Sequence, residues 1–111
     1  MKARSPHRLE CFAGEDVLIY GTLAGSESLV GATLRFVGWN ASGVIVWDSA
    51  DGTGDAEAEV TDASARTYEA TVPADFAAGV YSWEVLRTDS EKRWVHVWGF
   101  LTITGAPPNA G

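Results

Sequence analysis

Asp75-Phe76-Ala77-Ala78-Gly79-Val80-Tyr81-Ser82-Trp83 is the stretch whose reading decides the fold. A proline at position 73 and a glycine at 79 bracket a corner, and an alternating run leaves it. At such a corner between two packed sheets, a tyrosine folds back so that its hydroxyl bonds backbone a few residues upstream. Tyr81 has that place. Successive side chains on a strand point to opposite faces, so Tyr81, Trp83 and Val85 are expected inward and Ser82, Glu84 and Leu86 outward.

Working outward from the corner, short strand signals recur between turn clusters. Leu9 to Phe12 is closed by Ala13-Gly14-Glu15-Asp16, and Val17 to Leu23 ends at Gly25-Ser26-Glu27-Ser28. Ala32 to Trp39 sets Leu34 and Phe36 against Arg35, Val37 and Trp39, and Asn40-Ala41-Ser42-Gly43 turns it into Val44 to Trp47, a hairpin signal. Beyond the turn cluster Asp51-Gly52-Thr53-Gly54-Asp55, Ala56, Ala58 and Val60 alternate with Glu57, Glu59 and Thr61. That pattern predicts a half-buried edge strand whose acids discourage edge-to-edge pairing. Thr67 to Val72 alternates until Pro73 stops it. Val80 to Arg87 and Arg93 to Thr104 close the series.

No segment sustains a period of 3.6, so no helix is available to cover a sheet. About seven or eight short antiparallel strands must then form two sheets that cover each other. Together with the corner, this predicts an all-β, immunoglobulin-like sandwich. Trp83 stands where antibody domains place their second cysteine, and a large aromatic can fill that volume without a disulfide. Trp47 also reads as core. The expected organisation is a basic arm at residues 1–8, the sandwich at 9–104, and a tail at 105–111.

The chain also resembles the small immunoglobulin-like proteins and amino-terminal domains of tailed-phage virions, including the first domain of upper baseplate proteins. The residues that carry the resemblance are Gly14-Glu15-Asp16, Gly31-Ala32-Thr33-Leu34-Arg35-Phe36, Gly43-Val44-Ile45-Val46, Pro73-Ala74, Ala78-Gly79-Val80-Tyr81-Ser82-Trp83-Glu84-Val85 and Gly99-Phe100-Leu101-Thr102-Ile103. They span roughly residues 9 to 104 and are fold-defining positions. The resemblance implies a structural adaptor or decoration module in a tail, baseplate, neck or head, with no catalytic residues to carry over. It places the protein in a virion assembled in the host cytoplasm.

Composition narrows the function classes. The 111 residues are 46% hydrophobic and 21% charged, a globular rather than a disordered balance. The formal net charge is -7, yet Lys2, Arg4 and Arg8 fall within the first eight positions with no acid among them. The rest carries five basic and all fifteen acidic side chains, a body at -10 that repels phosphate backbones and argues against nucleic acid. The basic arm is a candidate docking segment for an acidic neighbour. Cys11 is the only cysteine, so no internal disulfide forms; it is expected to pack as a small hydrophobe. No signal peptide or membrane-spanning run is legible, which points to folding in a reducing cytoplasm.

Strand parity then singles out one face. In the last strand Val95, Val97, Gly99, Leu101 and Ile103 share the parity expected inside, leaving Trp94, His96, Trp98, Phe100 and Thr102 outside. Three strands expected to be neighbours would display Val37, Trp39, Leu86, Trp94, His96, Trp98 and Phe100 on one outer surface. Soluble monomers rarely expose such a patch, and tryptophans are frequent interface anchors. Burying roughly 600 Å² of it is worth about 15 kcal/mol before association costs. The expected partners are other virion proteins or further copies of the chain. A glycan stacked on a Trp94–Trp98 row is the alternative. A bulge at Gly99 would instead send Trp98 or Phe100 inward.

Catalytic inventories come up short, and no cofactor or metal is expected. His7 and His96 lack metal-site spacing, Cys11 has no evident base, and no Gly-x-Ser-x-Gly or phosphate loop occurs. Asp48, Asp51 and Asp55 around Gly52 fail the calcium-loop pattern, which would require ligands at Trp47, Ser49 and Ala58. An enzyme is not expected.

Overall fold

The computed structural model describes residues 7–22, 30–73, 76–88 and 94–105, leaving aside the side chains of His7 and of positions 94–96. Eight strands follow in order: β1 His7–Phe12, β2 Asp16–Thr22, β3 Leu34–Trp39, β4 Ile45–Asp48, β5 Glu57–Asp62, β6 Thr67–Pro73, β7 Gly79–Arg87 and β8 Trp94–Thr104. There is no helix among the described residues. They form a five-stranded sheet in the order β1-β8-β7-β3-β4 and a three-stranded sheet in the order β2-β6-β5. Every pairing is antiparallel except β1 with β8, which runs parallel from His7↔Gly99 to Phe12↔Thr104. β1 begins at His7, so Arg8 belongs to the sandwich rather than to the arm expected at 1–8.

The core lies between the sheets and follows the alternation read from sequence. Val17 and Ile19 of β2 and Tyr68, Ala70 and Val72 of β6 face Leu34, Phe36, Trp47, Tyr81, Trp83, Val85, Leu101 and Ile103 of the larger sheet. Trp47 is 0% exposed and Trp83 2%, so both tryptophans assigned to the interior are there. Phe36 packs at 5.5 Å from the Trp47 ring and edge-on at 6.0 Å from Trp83, while Phe76 and Tyr81 flank Trp47 at 5.4 and 6.1 Å. Such tilted and edge-on arrangements satisfy the ring quadrupoles. Cys11 is partly buried against this cluster, in keeping with its reading as a small hydrophobe.

The corner is built as the opening stretch demands. The Tyr81 hydroxyl donates to the Ala77 carbonyl at 2.6 Å, tying the start of β7 to the turn before it. The β3–β4 hairpin closes through Asn40, whose backbone N–H donates to Val44 O and whose Oδ1 accepts from Ser42 N and Val44 N. Gly43 takes φ of +80°, a conformation that costs glycine little. The expected edge strand is also in place, since β5 ends the smaller sheet with Glu57 and Glu59 exposed.

Candidate interaction face

The outer surface of the five-stranded sheet is fixed by register. Arg8, Phe100, Ser82, Trp39 and Ile45 lie in one cross-strand row. Trp98, Glu84, Val37 and Asp48 form the next, and Leu86 and Arg35 a third. The three strands expected to be neighbours therefore are, and Trp39, Trp98 and Phe100 share one side. Trp98 and Phe100 meet edge-on at 5.9 Å with 74° between their planes, and both stay half-buried. The Arg8 guanidinium stands 5.8 Å from the Phe100 centroid, within cation–π range. Leu101 and Ile103, of opposite parity, are in the core.

Two residues expected to lie open on this face do not. Val37 is 1% exposed and Leu86 2%, although neither belongs to the central cluster. Val37 sits mid-sheet, with Arg35 and Trp39 two positions away along β3 and Asp48 and Glu84 across from it. Leu86 has Arg35 across from it and Glu84 along its own strand. A short apolar side chain ringed by longer ones is covered by their stems. These two residues support the face from beneath rather than presenting it.

Two register slips also redraw the patch. Between β7 and β8 the pairing passes from Val85↔Val97 to Leu86↔Val95, leaving His96 as the extra residue of a bulge. The slip thus lies three residues before Gly99, and Gly99 pairs regularly with Trp83. The even spacing Trp94–His96–Trp98 is interrupted at its middle. The side chains of Trp94 and His96 lie outside the described residues, as do Lys2 and Arg4. The second slip, between Gly38 and Trp39, pairs Trp39 with Ile45 instead of Val46. Ile45 is consequently 42% exposed beside Trp39, and Val44 next to it 57%, two apolar members that parity counting missed.

One corner of the face is electrostatically closed. Arg35 Nε and Nη2 donate to Asp48 Oδ1 and Oδ2 at 2.8 and 2.5 Å, a bidentate pair. Asp48 Oδ1 also accepts from Ala50 N at 3.0 Å. The hydrogen bond from Arg35 above all, aided by that backbone N–H and the guanidinium charge, holds the Asp48 carboxyl below the usual aspartate range against the opposing effect of burial. Asp48 is thereby committed to the fold and not free to ligate. Among the described residues, no group of three or more His, Cys, Asp or Glu side chains is arranged to hold a metal ion.

A two-sheet sandwich with a tyrosine corner, and with its first strand laid parallel to its last, defines the immunoglobulin-like class. Among solved structures the chain is similar to the NK cell receptor Nkp44, a triggering partner in natural cytotoxicity. The TM-score is 0.55 at 13% identity, over 91% of this chain and 100% of that one. At that identity the likeness speaks to fold. No family model matches the chain, and no curated protein matches it.

Proposed function

We propose that this domain is a non-enzymatic interaction module that serves as an adaptor or decoration protein of a phage particle, joining a neighbouring subunit through the outer face of its five-stranded sheet. The observation that carries the reading is the half-buried trio Trp39, Trp98 and Phe100, displayed on one side of the five-stranded sheet and continued by exposed Ile45 and Val44. Tryptophan at the centre of a flat apolar surface is the usual anchor of a protein contact. The phage setting draws its support from the sequence resemblance over residues 9 to 104. The interrupted spacing of Trp94 and Trp98 gives a glycan row less support than a protein contact.

The test pairs Trp98→Ala with Phe100→Ala in the full chain. The variant should still unfold cooperatively from a native β-sheet spectrum, at a melting temperature lowered by the loss of two half-buried rings, while incorporation into purified particles, read by mass spectrometry, should fall roughly thirtyfold or more. Unchanged incorporation would remove the face from consideration. A stable monomer absent from particles, whose tryptophan fluorescence shifts on adding polysaccharide, would establish the glycan reading in its place.

A further inference from the structure

The molecule has a second surface that the aromatic face does not use, the open edge of the smaller sheet. β5 hydrogen-bonds to β6 on one side, and among the described residues no strand lies on its other side. An open groove of about 410 Å³ takes in this strand, lined by Ser49, Ala56, Glu57, Ala58 and Glu59 together with Glu69 and Thr71 of β6. Glu59 pairs directly with Glu69 across the sheet, and Glu57 sits two positions before Glu59. Such an edge presents unpaired backbone groups to any extended segment that fits. Pairing two β5 strands edge to edge would bring like charges together, which disfavours self-pairing.

We infer that this edge accepts residues 2–5 of a second copy of the same chain as an added strand. The argument is charge and spacing. Lys2 and Arg4 are two positions apart, as are Glu57 and Glu59. Laid antiparallel, Lys2 falls opposite Glu59 and Arg4 opposite Glu57, with Ala3 against Ala58 on the other parity. β5 stays regular from Glu57 to Val60 before its register slips ahead of Asp62. Lys2, Ala3 and Arg4 therefore fall opposite regular strand, Ser5 falls opposite Ala56 just before it, and Pro6, which cannot donate to a ladder, ends the match.

The donor must come from another molecule. β1 stands at the far end of the larger sheet, and β5 packs beneath β3. The way round is three strand spacings of about 4.8 Å plus a sheet separation of about 10 Å, some 25 Å. Arg4 is three residues before His7, a reach of about 10 Å. Arm and edge are different surfaces, so the contact is head-to-tail and generates a ring or an open chain of subunits. It is independent of the aromatic face.

Sedimentation velocity on the full chain tests this over a wide concentration range. The parent should self-associate, and more weakly as salt rises. Lys2→Glu with Arg4→Glu, or Glu57→Lys with Glu59→Lys, should each weaken association roughly tenfold or more, and all four together should restore it. Amide exchange at residues 57–60 should slow on association. A parent monomeric at every concentration overturns the inference, as does a natively melting fourfold variant that fails to recover. Association lost in Trp98→Ala with Phe100→Ala but untouched by the charge changes also overturns it, while leaving the aromatic face intact as an interface.

Discussion

The Trp47 indole lies directly over Gly38 of the adjacent strand, filling the space that any side chain at that position would need. A Cβ built on Gly38 would stand 2.6 Å from Trp47 Cδ2 and nearer still to Cε2 and Cζ2. Gly38 also pairs with Trp83 on its other side, so a glycine is wedged between the two tryptophans that centre the core. Gly38→Ala should force Trp47 out of its place and cost about 1–3 kcal/mol. Denaturant unfolding reads the loss, and near-UV circular dichroism should report the displaced indole.

Tyr81→Phe keeps the ring in the core and removes only the hydroxyl that donates to Ala77 O. The expected loss is about 1–2 kcal/mol, since the carbonyl keeps partial access to water beside exposed Ala77. A variant as stable as the parent in urea would mean the corner is held by packing alone.

Asp48 links stability to acid. Its carboxyl titrates below the ordinary aspartate value in the folded state, chiefly because Arg35 hydrogen-bonds to it. A lowered folded pKa means that the stabilisation is fully present above the unfolded value, about 3.9, and is lost as pH falls through the folded one. Asp48→Asn should lower stability at neutral pH by about 1–3 kcal/mol and flatten its decline at more acid pH. Melting temperatures of parent and variant across that range should therefore converge.

Cys11 should react slowly. Burial, and secondarily the charge of Glu15, push its thiol above the usual range. Alkylation rates should reach half their plateau at a higher pH than for a free thiol, and Glu15→Gln should bring that point down. Equal profiles for parent and variant would exclude the Glu15 effect.

Much of the fold was legible because it is written locally. The corner, the Asn40–Gly43 hairpin and the alternation in β2, β6 and β7 depend on residues close in sequence. Trp47, Trp83 and Tyr81 could be placed from those patterns alone. The face was harder. Val37 and Leu86 are covered by side chains from other strands, so their burial depends on strand order and register. Nothing at His96 or Val46 marks a bulge, because neither extra residue is a glycine, and Gly38 beside the second slip lies on the partner strand. Alternation counted straight through them puts Trp94 in line with Trp98 and overlooks Ile45. The parallel placement of β1, which brings Arg8 onto Phe100, likewise has no local signature.

The parallel seam between β1 and β8 has a mechanical side. A pull that draws Arg8 and Gly105 apart acts along both strands, and all six register pairs from His7↔Gly99 to Phe12↔Thr104 resist at once in shear. An antiparallel seam loaded from one end would yield pair by pair, like a zipper. Stretched lengthwise, this small sandwich should hold until it gives way in a single abrupt step.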